Sequence, residues 1–141
     1  MPDLDDTDLN ILRLLLEDAS QSFKQIGQSV HLTGQAVGAR VRKLQDLGVI
    51  EGHTLRWNPE KIGLTVHAFV TVFLSSGASH QRFHKFIEEN DSIAEVHRVS
   101  GEGCYWMRVR VDTSARLNDL LNRLLAFGNY KVSLSIERLK G

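Results

Sequence analysis

"FKQIGQSVHLTGQAVGARVRKL", residues 23–44, is the stretch on which the architecture turns. Phe23, Ile26 and Val30 recur at helical spacing in its first part, and Val37, Val41 and Leu44 do so in its second. Ser22 and Gln25 have the spacing of a capping box that starts the first helix, which stops near His31-Leu32. Thr33 is placed to cap the second helix and Gly48 to end it. A short helix, a tight turn and a second helix are the proportions of a helix-turn-helix.

Successive helical residues turn by about 100°. Gln35, Gly38, Ala39 and Arg42 therefore share the face opposite Val37, Val41 and Leu44, with Arg40 and Lys43 at its sides. Such a strip suits a DNA major groove. Gly38 and Ala39 permit close approach, Gln35 can pair with adenine and Arg42 with guanine, each worth about 1–3 kcal/mol of discrimination. Arg40 and Lys43 would hold phosphates without carrying sequence information. Basic residues at helical spacing also make ordinary solvated faces, and it is the supporting helices around this one that favour DNA.

Charge is placed unevenly in a chain of zero net charge. Residues 1–19 carry one cation, Arg13, against six carboxylates, a net of −5. Residues 20–58 carry five cations against two carboxylates, a net of +3. Within the acidic stretch Leu9, Leu12, Leu15 and Leu16 recur at helical spacing, and Asp5 and Asp6 stand where a helix N-terminus favours anions. This first helix supports the core away from the groove, so its acidity does not oppose DNA binding.

Beyond residue 50 the periodicity changes. Gly52, Asn58-Pro59 and Gly63 punctuate a connector expected to hold one short strand, 53–57, and then a hinge. Strand-like runs at 66–74, 93–99, 105–111 and 132–138 alternate with helical runs at 79–90 and around Leu117, Leu120, Leu121, Leu124 and Leu125, the latter capped by Thr113 or Ser114 and closed by Gly128. The order βαββαβ is the ferredoxin-like plan. The expected fold is therefore α+β: a helix-turn-helix domain at 1–52, a linker strand and hinge at 53–63, and a ferredoxin-like domain at 64–141. In 105–111, Tyr105, Met107, Val109 and Val111 suit packing under helices, whereas Trp106 joins Phe69 and Phe73 on the opposite face. That open apolar face is expected to serve self-association.

The 141 residues hold no apolar run approaching the roughly 18–20 needed to span a bilayer. The acidic start "MPDLDDTDLN" does not fit a secretory leader, and the single cysteine, Cys104, fits a reducing cytoplasm.

Three stretches together resemble the Lrp/AsnC (feast/famine) family of transcription regulators over nearly the whole chain. "LDDTDLNILRLL" is similar to the family's opening helix, "RVRKLQDLGVIEGHTLRWNPEKIGL" to its recognition helix and linker, and "RVSGEGCYWMRVRV" to its Gly-rich turn between two strands. The resemblance implies an oligomeric, cytoplasmic and nucleoid-associated regulator of double-stranded DNA that reads a degenerate palindrome. It also implies dimers pairing through their sheets, often assembled into octamers, with amino acids as effectors. By position it places DNA contact on Gln35, Gly38, Arg40, Arg42 and Lys43, and the effector turn on Gly101, Glu102, Gly103, Cys104 and Tyr105. The commoner family turn has an Asp where this chain has Cys104. Glu102 can take over the ammonium contact, or the protein acts on DNA architecturally with little effector response. A regulatory module acting on a protein partner is a further alternative. Ser133 and Ser135 either line the effector pocket across a subunit interface or are ordinary strand serines.

His80 and His84, at i and i+4, have a spacing able to hold a metal, but no third ligand is evident and surface histidines are the expectation. The "GEG" at 101–103 is too short for a phosphate loop and lacks the Lys-Ser/Thr pair. No catalytic residue, metal or cofactor is expected.

Overall fold

The computed structural model describes residues 3–141, which form two units, 3–56 and 57–141. The first unit contains α1 (Asp6–Glu17), α2 (Phe23–Val30) and α3 (Gly34–Asp46). Each start is built as its sequence dictates. Asp5 and Asp8 make a reciprocal capping box on α1, Ser22 and Gln25 make one on α2, and the Thr33 hydroxyl accepts from the Ala36 N–H at 3.1 Å on α3. Ile11, Ile26, Val37, Val41 and Leu44 are the fully or almost fully buried apolar residues of this unit.

The buried face of α1 is not the expected leucine stripe. Asp8 and Ile11 face inward with no exposed surface, while Leu9 is partly exposed and Leu16 is 79% exposed. Asp8 is bonded in that position to Arg40 and Lys43 of α3.

The turn between α2 and α3 is tight. His31 adopts a left-handed conformation (φ 58°), and the Leu32 N–H donates to the Gly27 carbonyl at 2.9 Å. Gly27 is buried where a Cβ would lie 2.3 Å from the Leu32 carbonyl oxygen, so only glycine fits.

Residues 53–57 form no strand: none makes a backbone hydrogen bond to another described residue, and Leu55 is 81% exposed. A strand needs a ladder partner, and among the described residues there is none for this segment.

The second unit begins with a 3₁₀ turn, Pro59–Ile62, and continues β1 (Val66–Leu74), α4 (His80–Glu88), β2 (Ile93–Arg98), β3 (Tyr105–Val111), α5 (Ser114–Leu124) and β4 (Gly128–Leu134). The strands form one antiparallel sheet in the order β2-β3-β1-β4. Alternate residues of the central strands (Ala68, Val70 and Val72 on β1; Tyr105, Met107, Val109 and Val111 on β3) pack with Phe83 and Phe86 of α4 and four leucines of α5. Both helices thus cover one face, the ferredoxin-like arrangement.

The last strand lies four residues earlier than the alternation of Val132, Leu134 and Ile136 indicates. Its ladder runs from Leu74↔Gly128 to Ala68↔Leu134 and is extended by one bond, Ser135 N–H to the His67 carbonyl at 2.8 Å. β1 starts at Val66, so little partner remains beyond, and Ile136 is wholly exposed. Gly128 consequently opens β4 and does not close α5. A Cβ there would lie 2.0 Å from the Phe73 carbonyl oxygen.

Candidate nucleic-acid interface

Val37, Val41 and Leu44 turn into the first unit, which leaves Gln35, Ala39 and Arg42 exposed on the opposite side of α3. Among the described residues Arg42 has no ion-pair partner. The strip is flanked unequally. On one side Gly38 is half-buried, and a Cβ there would lie 3.2–3.3 Å from the Phe23 ring. Its lack of a side chain makes room for α2, not solely for a groove.

On the other side Arg40 and Lys43 reach α1. Arg40 Nη1 donates to both carboxylate oxygens of Asp5 at 2.7 Å and to Asp8 Oδ1 at 3.1 Å. Lys43 Nζ donates to Asp8 Oδ2 at 2.7 Å. Asp8 also accepts from the Asp5 N–H at 3.1 Å, and the Asp8 N–H donates to Asp5 Oδ1 at 2.8 Å. Asp8 is completely buried, whereas the Arg40 and Lys43 side chains are 31% and 41% exposed. Burial pushes the Asp8 carboxyl up, but Lys43, the Asp5 N–H and Arg40 outweigh it and hold the group below the usual Asp range. Asp5 is lowered to about 2, chiefly by Arg40 and then by the Asp8 N–H. The four side chains form a neutral cluster that joins α1 to α3.

In the second unit the glycine turn is formed by backbone geometry. Gly101 (φ 94°) and Gly103 (φ 81°) occupy the left-handed region. The Cys104 N–H donates to the Val72 carbonyl at 2.8 Å, and the Glu102 carboxylate is paired with Lys131. Tyr105 leaves this group: its side chain is buried under the helices, with its hydroxyl 2.7 Å from His80 Nδ1 and 2.9 Å from His84 Nε2. One ring nitrogen must accept the phenolic proton while the other donates to the oxygen. Among the described residues no set of three His, Cys, Asp or Glu is placed to hold a metal.

Ser133 lies opposite Phe69 and Ser135 beside His67. Val72, which holds Cys104, is five residues along β1 from His67, roughly 16 Å at strand rise. Ser135 is therefore not brought to the glycine turn within one chain. It lines a separate cavity of about 350 Å³ with His67, Arg110, Glu60, Glu137 and Arg138. Burial, Arg108 and Arg138 lower the Arg110 guanidinium, and the buried His67 Nε2 has no hydrogen-bond partner among the described residues. On the sheet face away from the helices Phe69 stacks on Trp106 at 5.7 Å, with Arg108 over both rings.

Sequence reasoning missed Asp8, Asp5 and Phe23 as the partners of α3. The charge excess of the first helix carried the signal for the two aspartates; it read as acidity held away from the groove because their partners lie 32 and 35 residues away.

A family model for the AsnC-type helix-turn-helix domain matches residues 4–45, and one for the Lrp/AsnC ligand binding domain matches residues 67–141. The chain is 42% identical to the HTH-type transcriptional regulator LrpB of Bacillus subtilis, over 97% of this chain and 91% of that one. It is 36% identical to LrpA of the same organism, over 94% and 98% of the two chains. The solved structure of B. subtilis LrpC superimposes with a TM-score of 0.91 at 26% identity, over 97% of both chains.

Proposed function

Because the chain belongs to the Lrp/AsnC family of helix-turn-helix transcriptional regulators, and so is a DNA-binding regulator and not an enzyme, we propose that it reads a degenerate palindrome through Gln35, Ala39 and Arg42, as an oligomer with an amino-acid effector. The observation that carries the DNA assignment is the division of cations on α3. Arg42 projects from the centre of the exposed strip without an ion-pair partner among the described residues, while Arg40 and Lys43 are bonded to α1. An unpaired guanidinium beside the Gln35 amide and the small Ala39 is the donor set that reads base edges. Arg40 and Lys43 serve first to hold the helix, and Gly38 to seat it on α2.

Oligomerisation is supported by the Phe69–Trp106 stack on the sheet face that α4 and α5 leave open. A two-fold dimer carries two copies of α3, which makes the DNA site palindromic. Effector control is supported by the ligand-binding-domain match of the second unit. There, either Glu102 exchanges Lys131 for a ligand ammonium, or the cavity beside Ser135 offers Arg110 and Arg138 to a ligand carboxylate.

Nuclease protection on the DNA upstream of the protein's own gene tests the reading. Two short protected half-sites about one helical turn apart, roughly 10 base pairs centre to centre, are expected. Long protection that ignores sequence would replace this function with an architectural one.

A further inference from the structure

We propose that Asp5 acts as an internal stand-in for a DNA phosphate, holding Arg40 so that the sequence-independent part of DNA binding stays weak. The inference rests on the DNA reading of α3 and concerns the cations beside the reading strip. Asp5, Asp8, Arg40 and Lys43 form a closed cluster with contacts of 2.7–3.1 Å and no net charge. Phosphate binding draws its free energy from counterions released by unneutralised cations. A cation already matched by a carboxylate releases none.

The two carboxylates differ in what they permit. Asp8 is fully buried, and withdrawing Arg40 or Lys43 from it would leave a charge in the interior with too few partners. Asp8 is thus a fixed part of the fold. Asp5 is more than half exposed and is bonded at its side chain to a single cation, Arg40 Nη1, besides capping α1. Neutralising Asp5 leaves two cations sharing one carboxylate, a cluster charge of +1 at the edge of the DNA-facing strip. Phosphate contacts carry no sequence information, so the gain falls on every duplex alike.

The test is the affinity of the full-length protein for a random-sequence 30-base-pair duplex and for its own upstream DNA, measured across 50–300 mM KCl. Wild type is compared with Asp5→Asn and Asp5→Ser. Asn and Ser are both good N-caps, so α1 keeps its start while the charge is removed. The expected result for both variants is, for each bound helix, a salt slope steeper by about 0.9 and binding tighter by about eightfold at 0.1 M salt, on both duplexes. A merely structural role for Asp5 predicts the opposite sign, weaker binding with no steepening, and that outcome overturns the proposal. Wild-type slopes in both variants overturn it as well, while leaving the reading of α3 intact. Absence of wild-type binding to either duplex at 50 mM overturns both.

Discussion

Replacing Arg40 and Lys43 together by alanine is expected to unfold residues 3–56 under conditions where residues 57–141 remain folded. Asp8 has no exposed surface and takes its charge compensation from these two side chains. Removing the partners of a buried charge costs about 3–5 kcal/mol. At the usual 0.05–0.15 kcal/mol per residue, a unit of this length has only roughly 3–8 kcal/mol in all. The check is a thermal melt followed by helical circular dichroism, with amide exchange to locate the loss. Loss of protection across α1, α2 and α3 with retention in the sheet is the expected outcome. Adding Asp8→Leu to the double variant removes the stranded charge and is expected to recover most of the loss. Without cations, burial raises the Asp8 carboxyl in the folded state. The deficit is therefore largest at neutral pH and shrinks as pH falls and the group takes up a proton. A double variant that melts with wild type would show that Arg40 and Lys43 are not needed by the fold.

Gly27→Ala is expected to be as damaging, by about 3 kcal/mol or more, through sterics alone. The new methyl would sit 2.3 Å from the Leu32 carbonyl oxygen, a backbone atom in the turn that aims α3. The turn cannot yield easily, because the Leu32 N–H is bonded to Gly27 itself at 2.9 Å and His31 already holds a left-handed conformation. Overpacking of this kind costs about 1–3 kcal/mol where flexible side chains can give way, and more where they cannot. The variant should lose DNA binding together with the melting transition of the first unit. Gly52→Ala is the control: a Cβ there meets nothing within 4 Å, so binding and melting should be unchanged. Wild-type stability in Gly27→Ala would mean that the turn relaxes.

Local features were legible in the amino-acid order. Ser22 with Gln25, Thr33 before α3, and the alternation from Tyr105 to Val111 each depend on neighbours within a few residues, and each forms as its spacing indicates. What was hidden depends on partners far along the chain. Arg40 resembles a phosphate ligand until Asp5, 35 residues earlier, is seen to occupy it. Gly38 resembles a groove-facing glycine until the Phe23 ring is seen above it. The stripe on α1 was misread because hydrophobic spacing alone puts Leu16 inside, whereas the inward place is taken by Asp8, bonded to Arg40 and Lys43 of α3. The start of β4 was displaced for a similar reason. Gly128 looks like a helix terminator, and its actual role lies in the close approach of the Phe73 backbone. The effector turn shows the same limit. Its glycines were recognised, and the alternation of residues 105–111 already put Tyr105 under the helices, but the pairing that puts Ser135 at the far end of β1 depends on distant residues.

The division of labour on α3 is tested most directly by comparing wild type with Arg42→Ala for their preference between the protein's own upstream DNA and a random duplex at fixed salt. Arg42 is exposed and has no ion-pair partner among the described residues, so the variant should melt with wild type. The expected result is a loss of about 1–3 kcal/mol of preference for each recognition helix engaged, with binding to the random duplex far less affected. An Arg42→Ala protein that keeps the wild-type preference would contradict the assignment of sequence reading to this strip.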